Sequence, residues 1–62
     1  MVFNINRRRF EAYDSFPIKN DLKIKGFKWD KTYRCWYTYD GKIASKFLHI
    51  ATESVTKALS RM

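Results

Sequence analysis

Apolar positions near the start of the chain alternate with polar ones, as is typical of strands. Phe3 and Ile5 alternate with polar neighbours, and so do Phe10 and Ala12, but the two pairs have opposite parity. A bulge or a tight turn near residues 6–8 would reconcile them, because strand side chains alternate with period two. The pattern over the first 13 residues therefore predicts a strand or a small hairpin.

The next segment has the signals of a short helix over residues 16–25. Pro17 suits a first helical turn, where its missing N–H is not needed, and Ser15 or Asp14 could cap that turn. Gly26 follows the last turn, which is where glycine commonly ends a helix.

Residues 27–39 predict a β-hairpin, because strand-forming aromatic residues flank the turn-like sequence Asp-Lys-Thr. If residues 30–33 form a four-residue loop, Trp29 opposes Arg34. A turn shorter by one residue would exchange the two faces of the hairpin.

With that loop, Phe27, Trp29 and Trp36 share one face of the sheet, and the two tryptophans are the expected core members that hold the hairpin to the helices. The opposite face then carries Lys28, Cys35, Tyr37 and Tyr39.

The last third of the chain predicts a longer helix over residues 42–61, capped by Asp40. Apolar residues recur there at steps of three and four, namely Ile43, Phe47, Ile50, Ala51, Val55, Ala58, Leu59 and Met62. The whole order predicts a single α+β domain over residues 1–62, with a small antiparallel sheet and both helices on one face. The other face would be left to solvent or to a partner.

Length, charge and cysteine count narrow the class of protein. The chain has 62 residues, a net charge of +7 and one cysteine, so it cannot form an internal disulfide. A single thiol suits a reducing compartment, no apolar run approaches the roughly 18 residues that span a bilayer, and the first charges follow apolar residues, unlike a secretory signal. We expect a cytoplasmic protein without a membrane role.

The residue types predict neither catalysis nor a bound metal or cofactor. One Cys and one His cannot supply the four ligands of a structural zinc site. Cys35 and His49 could pair as nucleophile and base, but such a site also needs an orienting group and an oxyanion hole. The two glycines form no phosphate-binding loop. We expect a protein that is not an enzyme.

Residues 26–39 combine many aromatic rings with several cations. Exposed rings flanked by cations are suited to single-stranded nucleic acid, because bases stack on the rings and phosphates pair with Lys or Arg. The sequence predicts that Tyr33 and Tyr37 stack on bases. The residues expected to neutralise phosphates are Arg7, Arg8, Arg9, Lys25, Lys28, Lys31 and Arg34. The arginine block and the hairpin cations are expected to converge, because the sheet is small.

The segment "FPIKNDLKIKGFKWDKTYRCWYT" resembles a small domain of plasmid antirestriction and primase-type proteins and, more loosely, the HARP domain of annealing helicases. The resemblance covers about residues 16–48. Its matching positions are Leu22, Lys23, Gly26, Trp29, Asp30, Arg34, Trp36 and Tyr37. It implies a DNA-associated setting, since HARP domains accompany enzymes that act on branched or partly single-stranded DNA. This chain carries no helicase, primase or protease domain, so we expect it to bind DNA itself or to act on a partner enzyme.

The leading hypothesis is therefore a nucleic-acid-binding accessory protein that prefers single-stranded or branched DNA. The main alternative is a protein-binding module, or an inhibitor encoded by a phage or mobile element, that docks on an acidic host protein. Tyr, Trp and Arg are also favoured at protein interfaces, so composition does not separate the two. A homodimer formed through the last helix or the open sheet face is a third alternative.

Overall fold

The computed structural model describes residues 1–61, which form a four-stranded antiparallel sheet and three α-helices. The strands are β1 (Val2–Asn4), β2 (Arg9–Ala12), β3 (Lys28–Asp30) and β4 (Cys35–Thr38), in the spatial order β1-β2-β4-β3. The helices are α1 (Lys19–Lys25), which follows a 3₁₀ turn at Phe16–Ile18, α2 (Gly41–Ala44), which continues as a 3₁₀ segment over Ser45–Ile50, and α3 (Glu53–Ser60). The predicted α+β class is confirmed.

In both hairpins the last residue of the first strand caps the loop that follows it. Asn4 Oδ1 accepts a hydrogen bond from the backbone N–H of Arg7 at 2.9 Å. Asp30 Oδ1 accepts from the N–H groups of Thr32 and Tyr33 at 2.9 and 3.1 Å. Short Asn and Asp side chains favour turns for this reason, because they accept hydrogen bonds from loop N–H groups that have no partner on a neighbouring strand.

Both hairpin loops also end alike. Each has four residues, 5–8 and 31–34, and its last residue is an arginine in the left-handed region, with φ 54° at Arg8 and 53° at Arg34. The left-handed conformation turns the chain so that the second strand of the hairpin can begin at the next residue. The hairpin predicted for the first 13 residues is confirmed.

The register of the second hairpin differs from the prediction. Trp29 pairs with Trp36 and Asp30 pairs with Cys35, so the predicted pairing of Trp29 with Arg34 is wrong. The loop spans residues 31–34, one residue later than the predicted 30–33, because Asp30 remains in β3 and its side chain caps the loop. Side-chain parity is therefore unchanged, and the predicted division of the two faces is confirmed.

Gly26 ends α1 as predicted, with φ 111° and its N–H directed at the carbonyls of Leu22 and Lys23. The predicted cap at the other end of the helix is absent from the described residues. Ser15 Oγ instead donates to the carbonyl of Tyr13 at 2.9 Å, and the helix starts through the 3₁₀ turn that contains Pro17.

The core lies between the sheet and the helices and consists of two clusters. One contains Ala12, Leu22, Phe27 and Phe47, and the other contains Phe10, Ala44 and Val55. The central strand β2 supplies both clusters, through Ala12 and Phe10. Edge-on ring contacts join Phe27 to Phe47 at 5.3 Å and Phe3 to Phe10 at 4.9 Å. Each buried ring contributes about 1.5–3 kcal/mol of transfer free energy.

The two tryptophans do not contribute equally to this core. Trp36 on β4 packs against the first cluster, but Trp29 is 51 % exposed. The prediction of a core role is therefore wrong for Trp29. The physical reason is its place on β3, an edge strand, where a side chain has a neighbouring strand on one side alone.

The last third of the chain is broken where one helix was predicted over residues 42–61. Asp40 caps α2 as predicted, accepting from the N–H of Lys42 at 2.8 Å. Phe47 then departs from helical geometry (φ −120°, ψ 32°), and Ala51 and Thr52 are extended before α3 begins. The apolar spacing continues through the break, so the pattern alone did not reveal it. Met62, the last position of that pattern, lies outside the described residues.

Contacts with β1 account for this break. The backbone N–H of Thr52 donates to the carbonyl of Met1 at 2.9 Å, and the N–H of Phe3 donates to Ser54 Oγ at 3.1 Å. The extended residues thus close the outer edge of β1. The break also lets Phe47 and Val55 enter different clusters. None of the helices in residues 1–61 is both long and apolar enough to cross a bilayer.

Candidate nucleic-acid interface

The sheet face opposite the helices carries an ionic network centred on Glu11. This carboxylate is 0 % exposed and accepts hydrogen bonds from Arg7 Nε at 2.8 Å and Arg9 Nε at 2.6 Å. Tyr13 Oη donates to it at 2.8 Å and Asn4 Nδ2 at 3.1 Å. Every oxygen of Glu11 therefore has a partner, as a buried carboxylate requires.

The guanidinium of Arg9 continues the network across the sheet to Asp30, with Nη2 donating to Oδ2 at 2.8 Å. Both guanidinium groups also lie over tyrosine rings. Arg7 is 3.7 Å from the ring centre of Tyr33, and Arg9 is 4.2 Å from that of Tyr37. These four side chains cover the sheet face that has no helices, and we call them the Arg–Tyr layer (Arg7, Arg9, Tyr33 and Tyr37).

The network shifts the pKa values of its acidic members. Burial alone would raise the pKa of Glu11, but hydrogen bonds from the two guanidinium groups, Tyr13 and Asn4 outweigh it and lower this pKa to about 2. The hydrogen bond from Arg9 lowers the pKa of Asp30. Burial, followed by the hydrogen bond to Glu11, raises the pKa of the Tyr13 hydroxyl to about 12.

Two of the predicted phosphate ligands are therefore directed inward. Arg9 is buried, and Arg7, whose side chain is 27 % exposed, is held by the same carboxylate. Glu11 and Asp30 neutralise these two arginines. The net charge of +7 consequently lies on the rest of the molecule.

The other predicted cations are exposed but fall into separate places. Lys28, Lys31 and Arg34 all belong to the second hairpin, as does Tyr33, whose ring is 48 % exposed. Lys28 lies on β3 opposite Tyr37, and Lys31 and Arg34 lie in the loop. Lys25 lies at the end of α1, just before that hairpin. Arg8 lies on the first loop, at the opposite end of the sheet, because β2 and β4 are antiparallel. The arginine block and the second hairpin thus meet in the Arg–Tyr layer, where Arg7 contacts Tyr33 and Arg9 contacts Tyr37.

A groove of about 580 Å³ lies on the other side of the hairpin, between its tryptophans and the segment that leads into α1. We call it the tryptophan groove, and its lining residues are Ala12, Asp14, Ser15, Phe16, Lys19, Trp29, Arg34 and Trp36. The rings of Trp29 and Trp36 are 5.4 Å apart and inclined by 58°. Phe16 is 74 % exposed, and Lys19 Nζ lies 4.2 Å from its ring centre.

Sequence reasoning placed Arg34 among the site residues but missed Phe16, Lys19 and the exposure of Trp29. One signal was present in the sequence. Phe16 precedes Pro17 at the very start of a helix, ahead of the apolar positions that face the core, where a ring has little to pack against.

Cys35 lies buried beneath the Arg–Tyr layer, where burial and the nearby Glu11 charge raise the pKa of its thiol. Within residues 1–61, no three side chains of the metal-binding types come together. Comparison with protein-family models, with curated proteins and with solved structures found no match for this chain.

Proposed function

We propose that this chain is a nucleic-acid-binding accessory protein that prefers single-stranded or branched DNA. The observation that carries the proposal is the second hairpin, where exposed rings and exposed cations alternate over a few residues. Trp29 and Tyr33 supply the rings, and Lys28, Lys31 and Arg34 supply the charge. Rings for bases and cations for phosphates are the two requirements of a single-strand site.

The distribution of ion pairs supports this assignment. No carboxylate of residues 1–61 lies within salt-bridge distance of Lys28, Lys31 or Arg34, whereas Arg7 and Arg9 are both held by carboxylates. The exposed cations can therefore bind phosphate without first breaking an internal pair. Arg7 and Arg9 take a different role in the proposal, since they hold Tyr33 and Tyr37 in place.

Lys25 extends this surface towards α1, and Arg8 offers a further phosphate contact at the far end of the sheet. A strand that used about five such contacts should lose affinity steeply with salt, with a slope of log K against log salt of about −3.5 for single strands. The lone Cys35 suits the reducing cytoplasm, where we propose that the protein acts.

The test is fluorescence anisotropy with labelled single-stranded, forked and duplex oligonucleotides at two salt concentrations. We expect Lys28→Glu/Arg34→Glu to weaken single-strand binding and to reduce the salt slope by about 1.4, the share of two phosphates. The matched control is Lys42→Glu/Lys46→Glu, which changes the net charge equally but lies outside the second hairpin, on α2 and the 3₁₀ segment that continues it.

Equal losses in the two double variants would show that total charge, and not the hairpin, attracts the strand. Absence of oligonucleotide binding by the unmodified protein at low salt would contradict the proposal and favour docking on an acidic protein.

A further inference from the structure

The tryptophan groove has an arrangement that a purely structural site would not need. It exposes half of Trp29 and most of Phe16 beside the partly buried Trp36. Large apolar rings gathered in a concave surface cost free energy in water, and such patches mark binding sites more often than isolated exposed rings do. Its volume of about 580 Å³ lies within the common range of small-ligand sites.

The geometry of the rings favours a flat ligand. The planes of Trp29 and Trp36 are inclined by 58°, so the two indoles do not cover one another by parallel stacking. The exposed part of Trp29 remains accessible to another ring system. Base–aromatic stacking is sequence-tolerant, because every base has a π-face.

The charges around the groove specify the rest of the ligand. Arg34 and Lys19 line it together with a single carboxylate, Asp14, so its rim carries excess positive charge. Arg34 is also the residue whose backbone is held at φ 53° at the end of the loop. A purely apolar peptide would leave these cations unused, whereas a nucleotide carries an anion beside its ring. Asp14 and Ser15 can accept hydrogen bonds from N–H groups at the Watson–Crick edge of a base, which every base offers, including the N3–H of thymine.

From this complementarity we infer that the tryptophan groove is a base-binding site for unpaired nucleotides, with a base stacked on Trp29 and its phosphates on Arg34 and Lys19. The inference rests on the proposed function and specifies its structural basis, because a base must be free of its duplex partner to enter the groove. It also assigns base stacking to Trp29, on the opposite side of the same hairpin from Tyr33 and Tyr37, whose rings are covered by arginines.

The chain contains two tryptophans and both line this groove, so intrinsic tryptophan fluorescence reports on it without a label. The experiment titrates the protein at low salt with an oligothymidine and with an abasic oligonucleotide of the same length and phosphate count. Anisotropy of end-labelled strands gives the affinities in parallel. We expect the oligothymidine to change the tryptophan emission and the abasic strand to leave it unchanged.

Three variants make the test specific. Trp29→Ala should weaken oligothymidine binding about 5- to 150-fold, as the loss of one stacked base predicts, and should leave abasic binding unchanged. Phe16→Ala should also weaken oligothymidine binding. Tyr39→Ala is the matched control, because this ring is 64 % exposed but lies outside the groove, and its affinity should stay within about twofold. Circular dichroism verifies that each variant is folded.

The outcomes separate this inference from the proposed function. If both strands bind equally well and the emission does not change, the base-binding groove is refuted while phosphate-driven DNA binding stands. If neither strand binds, both proposals fail. If a proline-rich or aromatic peptide changes the emission and the oligothymidine does not, the groove is a protein-docking site and the inference is overturned.

Discussion

Replacement of Glu11 by glutamine tests how much the buried ionic network stabilises the fold. Gln keeps the shape of the side chain but removes the charge that Arg7 and Arg9 share. One of its two terminal atoms becomes an N–H₂ group, which faces guanidinium donors and cannot accept from them. The substitution therefore leaves two guanidinium groups at the sheet with one neutral oxygen between them.

The pKa of Glu11 supplies the magnitude. It falls from the ordinary 4.5 to about 2 in the folded chain, and each pKa unit corresponds to about 1.4 kcal/mol. The network thus stabilises the folded state by about 3 kcal/mol through this carboxylate. Because the folded pKa is depressed, this contribution is present above pH 4.5 and is lost as the pH falls towards 2. A chain of this length has about 3–9 kcal/mol in total, so the loss is severe.

Urea unfolding followed by far-UV circular dichroism measures the effect. With a slope of about 1 kcal/mol per molar urea for so small a domain, Glu11→Gln should lower the midpoint by about 3 M or unfold the protein outright. Glu53→Gln is the control, because it removes an exposed pair with Lys57 (3.2 Å) that contributes less than about 1 kcal/mol. Equal midpoints for the two variants would refute the calculation. So would an unfolding free energy of the unmodified protein that stays constant between pH 4.5 and 2.

Two further predictions concern the backbone and the thiol. Gly26→Ala should destabilise the protein by about 1–2 kcal/mol in thermal unfolding, because φ is 111° and the new Cβ would lie 2.9 Å from Ile43 Cδ1. Adding Ile43→Val removes that carbon and should not restore the backbone part of the loss, so full recovery would contradict a strained φ. Cys35 should react with a thiol reagent only as fast as the protein opens, since it is buried and its pKa is raised. Rapid labelling of the folded protein at neutral pH would contradict its burial.

The elements that the sequence predicted well are those set by local chemistry. Asn4 and Asp30 fix their loops through hydrogen bonds to the next few residues, and Gly26 and Asp40 end and start helices within one turn. The face assignment of the second hairpin was confirmed despite the wrong register, because parity tolerates an error of two positions.

The features that escaped prediction depend on residues far apart in the chain. The break before α3 is fixed by hydrogen bonds between residues 52–54 and β1, about 50 positions away, while the apolar spacing continues unbroken. The neutralisation of Arg9 involves Asp30, which lies 21 positions further along the chain and on the far side of β4 in the sheet. Side-chain parity in the predicted hairpin placed Trp29 on the core-facing side of the sheet, whereas its place on an edge strand is a property of the sheet order.

The same sheet order bears on how the protein behaves at high concentration. The chain around Thr52 and Ser54 covers the outer edge of β1, and the other edge strand, β3, is three residues long and carries Lys28 and Asp30. Short, charged or covered edges are poor templates for pairing with another molecule. Copies of the protein would meet often at high concentration, and these edges would discourage them from joining into continuous sheets and aggregating.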